Sequence, residues 1–312
     1  MKTVKPCYYD KFSCIAADCP DNCCTGWVID VPADAMDFYK TLDGKIGEKI
    51  FAITKGYKKH CFKTVDRKCP FFTDGGLCEI CLEAGVDALK GVCERYPRFI
   101  NDFGAYRERG LYISCPVASD LLCDAKQILL PITECSEEPV TSYNSIDATF
   151  FTSLVSAKET LIKIAASDIP LDNKLYSVLA ETAKLHNDFC KGKLNSVTIP
   201  EFDRAPFKKL EYLRRSFYSA FSDAPHTDTT LLSNLLIYFI HGYFMKAAYD
   251  NDIFGKGAFI VGAIQSILHL ATSYGSVKAA AHIFSKEIEH SNKNIQILTR
   301  YWRRHYGRKN KL

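Results

Sequence analysis

The sequence predicts a mainly α-helical protein, with a cysteine-rich, irregular α+β region at the N-terminus and an all-helical C-terminal part. Two observations predict this division. Twelve of the fourteen cysteines lie within the first 123 residues, whereas helical periodicity dominates the second half of the chain. With 312 residues, of which 47% are hydrophobic, the chain can bury a large core. We expect a cysteine-rich metal-binding domain over residues 1–130, a linker over 131–146 and a helical domain over 147–312.

The N-terminal region alternates short regular elements with loops. After an irregular cysteine loop, an amphipathic helix is predicted over residues 32–53, although Gly44 and Gly47 weaken its pattern. Further elements are predicted in this order: a strand over 57–65, a turn at 74–76, a helix over 79–89, a hairpin of strands 98–103 and 106–114 joined at Gly104, and a helix over 116–130 that begins at a proline.

The C-terminal part reads as a series of helices. Pro131, Pro139 and the acidic pair Glu137-Glu138 are typical of a linker. Asp228 and Ser276 are expected N-cap residues. Six helices are predicted, over 147–167, 171–191, 204–222, 228–249, 256–273 and 276–305, with the last divided near Ser291-Asn292.

Two apolar stretches, residues 231–249 and 258–274, resemble membrane spans in composition. Lys246 interrupts the first and Gln265 the second, and both are shorter than the ~20 apolar residues that a span requires. We therefore expect buried core helices and no membrane span.

The N-terminal sequence lacks the apolar segment and cleavage site of a secretory signal, which predicts a cytoplasmic location. Disulfides are rare in that reducing compartment, so metal binding is the favoured use of the thiols. A net charge of +4 is mild and predicts no nucleic-acid partner. The basic residues between 300 and 311 are expected to form a solvated helix end, with an acidic partner surface as the alternative.

The cysteines are spaced like metal ligands. Thiolates are soft ligands that suit zinc and iron–sulfur clusters. Zinc sites usually use paired C-x2-C knuckles, and only Cys78-x2-Cys81 has this spacing. Iron–sulfur clusters accept more varied spacing. The C-x3-C-x2-C triplet of radical enzymes is absent, because Gly26 occupies its third position after Cys19-x3-Cys23.

Six short motifs follow one another across about residues 7–123. They are Phe12-x-Cys14, Cys19-x-Asp21-x-Cys23-Cys24-x-Gly26-Trp27, Cys69-Pro70-Phe71, Gly76-Leu77-Cys78, Cys93-x2-Tyr96-Pro97-Arg98 and Ser114-Cys115-Pro116. Together they resemble the flagellin lysine N-methylase family, which is related to cysteine-cluster proteins thought to chelate zinc or iron. The helical remainder is similar to that family only in general character.

The resemblance implies methyl transfer from S-adenosylmethionine to lysine side chains of flagellin before export. It also implies an iron–sulfur cluster, expected to be 4Fe-4S, with zinc as the alternative. Eight thiolates exceed the need of one cluster, so two metal sites or a supporting role for some cysteines are both open. The metal ligands that the resemblance implies are Cys14, Cys19, Cys23, Cys24, Cys69, Cys78, Cys93 and Cys115.

The donor and the methylated product are cations, which aromatic walls attract. The aromatic candidates for this contact lie within or beside the motifs and are Trp27, Tyr96, Tyr106 and Tyr112, each with core packing as the alternative. Arg98 is a candidate to bind the donor carboxylate bidentately, with an ion pair to Glu94 or Glu108 as its structural alternative.

The sequence identifies no catalytic residue and no Gly-rich nucleotide-binding unit. The isolated histidines of the helical part, including His282 and His290, are expected to be packing or surface residues. Two other functions therefore stay open beside the methylase: a non-enzymatic metal-chelating or cluster-carrying protein, and a redox protein that passes electrons through a cluster.

Overall fold

The N-terminal region consists of short elements in a computed structural model that describes residues 1–26, 29–54, 61–66, 68–139, 146–191, 193–221 and 229–309. Its strands are β1 (Lys2–Val4), β2 (Ile29–Asp30), β3 (Cys61–Phe62), β4 (Arg98–Phe103), β5 (Tyr106–Leu111) and β6 (Ile132–Glu134). Its helices are α1 (Ala33–Tyr39), α2 (Gly44–Thr54), α3 (Glu79–Ala84), α4 (Val92–Arg95) and α5 (Pro116–Cys123).

The predicted hairpin is confirmed and forms one side of a four-stranded sheet in the order β4-β5-β1-β6. Gly104 makes the turn with φ +68°, a conformation that glycine adopts without strain. Strand β1 pairs in parallel with β5, and β6 pairs antiparallel with β1. The sequence patterns predicted neither β1 nor β6, and β6 lies inside the segment predicted as a linker.

Glycines divide two of the predicted helices. The helix predicted over 32–53 is two helices, because Gly44 has φ +77° at the start of α2. The helix predicted over 79–89 ends at Ala84, where Gly85 has φ +85° and a 3-10 turn follows. The predicted strand over 57–65 lies partly outside the described residues, and its described part contains β3. The helix predicted over 116–130 ends at Cys123.

The C-terminal part contains the predicted long helices. They are α6 (Ala148–Ala166), α7 (Leu171–Phe189), α8 (Arg215–Ser219), α9 (Thr229–Tyr243), α10 (Ala247–Asp250), α11 (Ile253–Tyr274), α12 (Val277–Phe284) and α13 (Asn292–Tyr306). A short antiparallel pair, β7 (Leu194–Val197) and β8 (Gly307–Lys309), connects the end of α7 to the end of α13. The Ser276 cap is confirmed, since its Oγ accepts a 3.0 Å hydrogen bond from Ala279 N. The expected cap Asp228 lies outside the described residues.

The single helix predicted over 204–222 is wrong. A 3-10 turn, Ala205–Lys209, and the five-residue α8 replace it over the described part of that range. Between them Tyr212 adopts φ +60°, which no α-helix can contain. The site described below depends on this interruption.

Two hydrophobic clusters hold the fold together. The larger one, called the helical core here, is built by α6–α13 together with β4, β5 and α5. The smaller one lies inside the cysteine lobe, residues 14–97, and contains twelve buried residues between Ile29 and Ala88. Helix α11 is the one helix among the described residues with the length and composition to cross a membrane, but 78% of its most apolar window is buried inside the fold. Its burial is that of a core helix, as predicted.

Candidate functional site

The motif cysteines of the cysteine lobe lie in one neighbourhood with Cys115, which precedes α5. Burial, followed by the nearby thiols of Cys69, Cys78, Cys23 and Cys81, raises the pKa of Cys93 to about 12. The same kind of influence of one thiol on the pKa of another links all eight predicted ligand cysteines, and it also includes a ninth, Cys81. The nine are Cys14, Cys19, Cys23, Cys24, Cys69, Cys78, Cys81, Cys93 and Cys115.

The thiols of this neighbourhood include all the predicted metal ligands. Within the described part of the chain, no group of three or more His, Cys, Asp or Glu side chains is placed to hold a metal ion. A hydrogen bond between the adjacent thiols of Cys23 and Cys24 lowers the pKa of Cys23 and raises that of Cys24. Thiolate donors suit zinc or iron, and the predicted set of ligands stays a prediction.

A cavity of about 720 Å³ lies between the cysteine lobe and the helical core. Five of its lining residues belong to the motifs found in the sequence, namely Asp21, Cys23, Gly26, Tyr96 and Ser114. Lys286, Glu287 and His290 line the opposite wall. The cavity therefore joins the two parts of the chain that the sequence treated separately. A larger open depression of about 960 Å³ beside α7 and α13 contains none of the motif residues.

The core wall of the cavity is a π-helical segment, Ser285–Glu289, between α12 and α13. Such segments are rare and occur frequently at functional sites. The hydroxyls of Tyr238 and Tyr243 on α9 each donate a 2.9 Å hydrogen bond to the buried carboxylate of Glu289. These bonds anchor the inner face of the segment, while its other residues border the cavity.

A hydrogen-bonded chain of polar side chains, with Ser114 at its middle, connects the cysteine lobe to the helical core. The hydroxyls of Tyr96 and Ser114 are 3.1 Å apart, and Ser114 Oγ lies 2.7 Å from Nε2 of His290. Burial, together with the nearby Lys286 ammonium, lowers the pKa of His290 to about 4. Burial also raises the pKa of the Tyr96 phenol. At neutral pH the chain is therefore uncharged, with the imidazole able to accept a hydrogen bond.

A second connection joins Asp21 of the cysteine loop to α12 and the π-helical segment. His282 Nε2 lies 2.8 Å from Asp21 Oδ2, and the other ring nitrogen lies 3.0 Å from the Ile113 carbonyl oxygen. Lys286 forms an ion pair with the same carboxylate. Hydrogen bonds from His282 and Lys286 hold the pKa of Asp21 well below its usual range. The cysteine loop is thus fixed to the helical core by charge.

The other predicted donor-binding residues have different surroundings. Trp27 lies outside the described residues. The Arg98 guanidinium stacks 4.9 Å above the ring of Phe12 and does not line the cavity. Tyr106 is buried against Phe103 and Phe151 in the core. Tyr112 does not line the cavity but packs against one of its residues, with its ring 4.8 Å from that of His290.

Sequence reasoning missed His282 and His290, which were expected to be packing or surface residues. Each contacts a motif residue across more than 170 positions of chain. Their spacing of eight on one predicted helix argued against a shared site. The structure gives them separate contacts, His282 with Asp21 and His290 with Ser114, and no signal in the sequence pattern indicated the π-helical segment between them.

Comparison with known proteins supports a distant relationship to lysine methylases. Over 139 residues the chain is 25% identical to the lysine-N-methylase of Salmonella typhimurium, a match that covers 42% of this chain and 35% of that protein. Over 141 residues it is 26% identical to the flagellar biosynthetic protein FliU of Salmonella muenchen, covering 42% of this chain and 82% of that protein. The match thus spans about a third of the length of the lysine-N-methylase. No family model and no solved structure matches the chain.

Proposed function

We propose that this protein transfers a methyl group from S-adenosylmethionine to lysine side chains of flagellin. The observation that carries the proposal is the cavity, in which five residues of the methylase-like motifs meet the π-helical segment. The similarity to a lysine-N-methylase and to a flagellar biosynthetic protein supports it. Flagellin as substrate and the cytoplasm as the place of reaction, before export, are parts of the same proposal.

The reaction requires a neutral amine. A lysine ammonium has an unperturbed pKa of about 10.4, and partial desolvation on entry into the cavity disfavours its charged form and lowers the pKa of the incoming group. Its proton leaves to solvent water at the mouth of the cavity. The nitrogen lone pair then attacks the methyl carbon, an N–C bond forms, and the C–S electron pair stays on sulfur as the neutral thioether.

The chain of Tyr96, Ser114 and His290 orients the amine. An uncharged amine can donate an N–H to the Tyr96 hydroxyl, which is in turn held by Ser114 and the neutral imidazole. This arrangement directs the lone pair away from the hydroxyl and towards the donor. Precise orientation of this kind accounts for a large part of the rate that an enzyme adds to a displacement.

An iron–sulfur cluster on the motif cysteines, with zinc as the alternative, stays part of the proposal as a separate element. Methyl transfer to an amine changes no oxidation state, so no step above passes through a metal. Bound metal would cross-link the loops that carry Asp21 and Cys23 and stabilise the lobe wall of the cavity. The thiols' proximity equally supports a second candidate, a metal-chelating or cluster-carrying protein without turnover.

The test uses the full chain, purified without oxygen, with methyl-labelled S-adenosylmethionine and flagellin. We expect label on flagellin lysines. His290→Gln should lower the rate by about 100-fold, the scale of a lost positioning contact. His305→Gln, on an exposed histidine outside the cavity lining, is the matched control and should leave the rate unchanged. Iron and sulfide without label transfer would contradict the methylase and favour the carrier, and a reversible redox couple would favour electron transfer.

A further inference from the structure

The rim of the cavity contains a strained and exposed tyrosine. Tyr212 has φ +60°, which is rare for a bulky residue outside glycine-like turns. Its side chain is 95% exposed although it lines the cavity. A large aromatic side chain gains nothing for the fold from this position. Strained residues of this kind persist where the surrounding structure over-determines them, commonly at ligand sites.

The surroundings of Tyr212 do hold its backbone from both sides. On one side, the buried side chain of Asn294 accepts a hydrogen bond from Glu211 N (3.0 Å) and donates one to Glu211 O (3.1 Å). On the other side, the backbone N–H of Arg214 donates a 2.9 Å hydrogen bond to Glu287. Both anchors belong to the π-helical segment and the first turn of α13, so the tyrosine is presented by the same wall that carries His290.

Arg214 lines the same rim and has hydrogen-bonding capacity left over. Its Nε pairs with the Glu287 carboxylate. Its Nη2 is buried and has no hydrogen-bond partner among the residues that the structure describes. An unsatisfied buried donor of a guanidinium is costly, and a carboxylate is the acceptor that its geometry suits best.

The neighbouring side chains of Arg214 and Tyr212 thus favour ligand groups of opposite charge. Arg214 offers an N–H to an anion, and the face of Tyr212 offers a surface to a cation. A ligand that satisfies both carries a carboxylate and an onium group within one short aliphatic chain. The methionine part of S-adenosylmethionine has this chemistry, because its carboxylate and its sulfonium are separated by three carbon atoms.

We propose that the rim formed by Tyr212 and Arg214 binds the amino-acid end of the methyl donor, with Arg214 on the carboxylate and Tyr212 over the sulfonium. The inference rests on the proposed function, because it takes the cavity as the methyl-transfer site. It replaces the role that the sequence suggested for Arg98, whose guanidinium stacks on Phe12.

The test measures dissociation constants of the full chain for three probes. These are S-adenosylmethionine, S-adenosylhomocysteine, which lacks the positive charge, and decarboxylated S-adenosylmethionine, which lacks the carboxylate. Tyr212→Ala should weaken S-adenosylmethionine by about fivefold, the scale of one cation–π contact, and leave S-adenosylhomocysteine unchanged. Tyr212→Phe should keep wild-type affinity. Arg214→Gln should weaken the first two probes by tenfold or more and leave the decarboxylated probe unchanged.

Tyr176→Ala, on an exposed tyrosine of α7 outside the cavity lining, is the control and should change none of the constants. Equal losses for all three probes in the Tyr212 and Arg214 variants would indicate a merely structural role and overturn the inference. If the wild-type protein methylates flagellin and both variants bind all three probes with wild-type affinity, the inference is overturned and the proposed function stands. Wild-type protein that binds none of the probes would overturn the proposed function with it.

Discussion

The cysteine lobe and the helical core are stabilised by different means. The lobe has helices of four to eleven residues and a cluster of twelve buried residues, whereas the core contains helices of up to 22 residues around α9 and α11. Apolar burial is the dominant favourable contribution to folding, so the core is expected to be stable without help from the lobe. The lobe has fewer apolar contacts and a concentration of thiols that metal could cross-link.

The difference explains where the cavity lies. The rigid core supplies Ser114, His290 and the rim residues from elements that are fixed by packing and by the buried Glu289. The lobe supplies Asp21 and Cys23 from the cysteine loop and Tyr96 from the end of α4. A site built this way is expected to be precise on one wall and adjustable on the other.

The largest expected effect comes from a buried ion pair inside the helical core. Glu108 on β5 has a fully buried side chain and pairs with Lys158 on α6, which is 5% exposed. Lys158→Met leaves a buried carboxylate without its partner and should lower the free energy of unfolding by about 3–5 kcal/mol, measured by urea denaturation. The double variant Glu108→Gln, Lys158→Met should recover much of this loss. A Lys158→Met protein whose free energy of unfolding lies within about 1 kcal/mol of the wild-type value would contradict this prediction.

The same substitution in the two clusters should separate them. Phe71 is fully buried in the lobe, with its ring 4.8 Å from that of Phe62, and Phe239 is fully buried in the core. Each change to alanine should remove about 3–5 kcal/mol from the unit that contains it. Amide hydrogen exchange should show a loss of protection in the lobe alone for Phe71→Ala. For Phe239→Ala it should show a loss of protection in both the lobe and the core. Equal loss of protection throughout would mean that lobe and core unfold as one unit.

Acid should weaken the core through His241. Burial, followed by the nearby Lys158 ammonium, lowers the pKa of His241 to about 3, and its Nε2 lies 2.8 Å from the Arg109 carbonyl oxygen. Below pH 6.5 His241 binds a proton in the unfolded state, whereas in the folded state it binds one only below about pH 3. The free energy of unfolding therefore falls as the pH falls across this window. At pH 4 the loss should be about 3 kcal/mol relative to pH 7. His241→Gln should remove this part of the pH dependence of urea unfolding, and an unchanged slope would refute it.

The smallest expected effect concerns the rim. Asparagine tolerates the left-handed conformation better than tyrosine, so Tyr212→Asn should raise the free energy of unfolding by up to about 1 kcal/mol. Tyr176→Asn, the same change inside α7, should instead lower it slightly, because asparagine is a poor helix former. Calorimetric melting temperatures measure both. A Tyr212→Asn protein no more stable than wild type would show that the residue is not strained.

Prediction from sequence succeeded where a local pattern was sufficient. The hairpin at Gly104, the long helices α6, α7 and α11 and the Ser276 cap each depend on residues that are neighbours in the chain. Predictions that required knowledge of distant contacts were less complete. The helix predicted over 204–222 is interrupted at Tyr212, where Asn294 and Glu287 hold the backbone in place of an i→i−4 hydrogen bond.

By itself, the sequence determined the division into a cysteine-rich part and a helical part, and the motifs that resemble lysine methylases. Both are properties of residue type and spacing, which periodicity and composition record directly. Only the tertiary structure decided that Tyr96 and Ser114 meet His290, that Asp21 meets His282, and that Arg214 lines the cavity while Arg98 does not. The physical reason is that these contacts join residues far apart in the chain, and a π-helical segment sets the rotation of the helix that presents them.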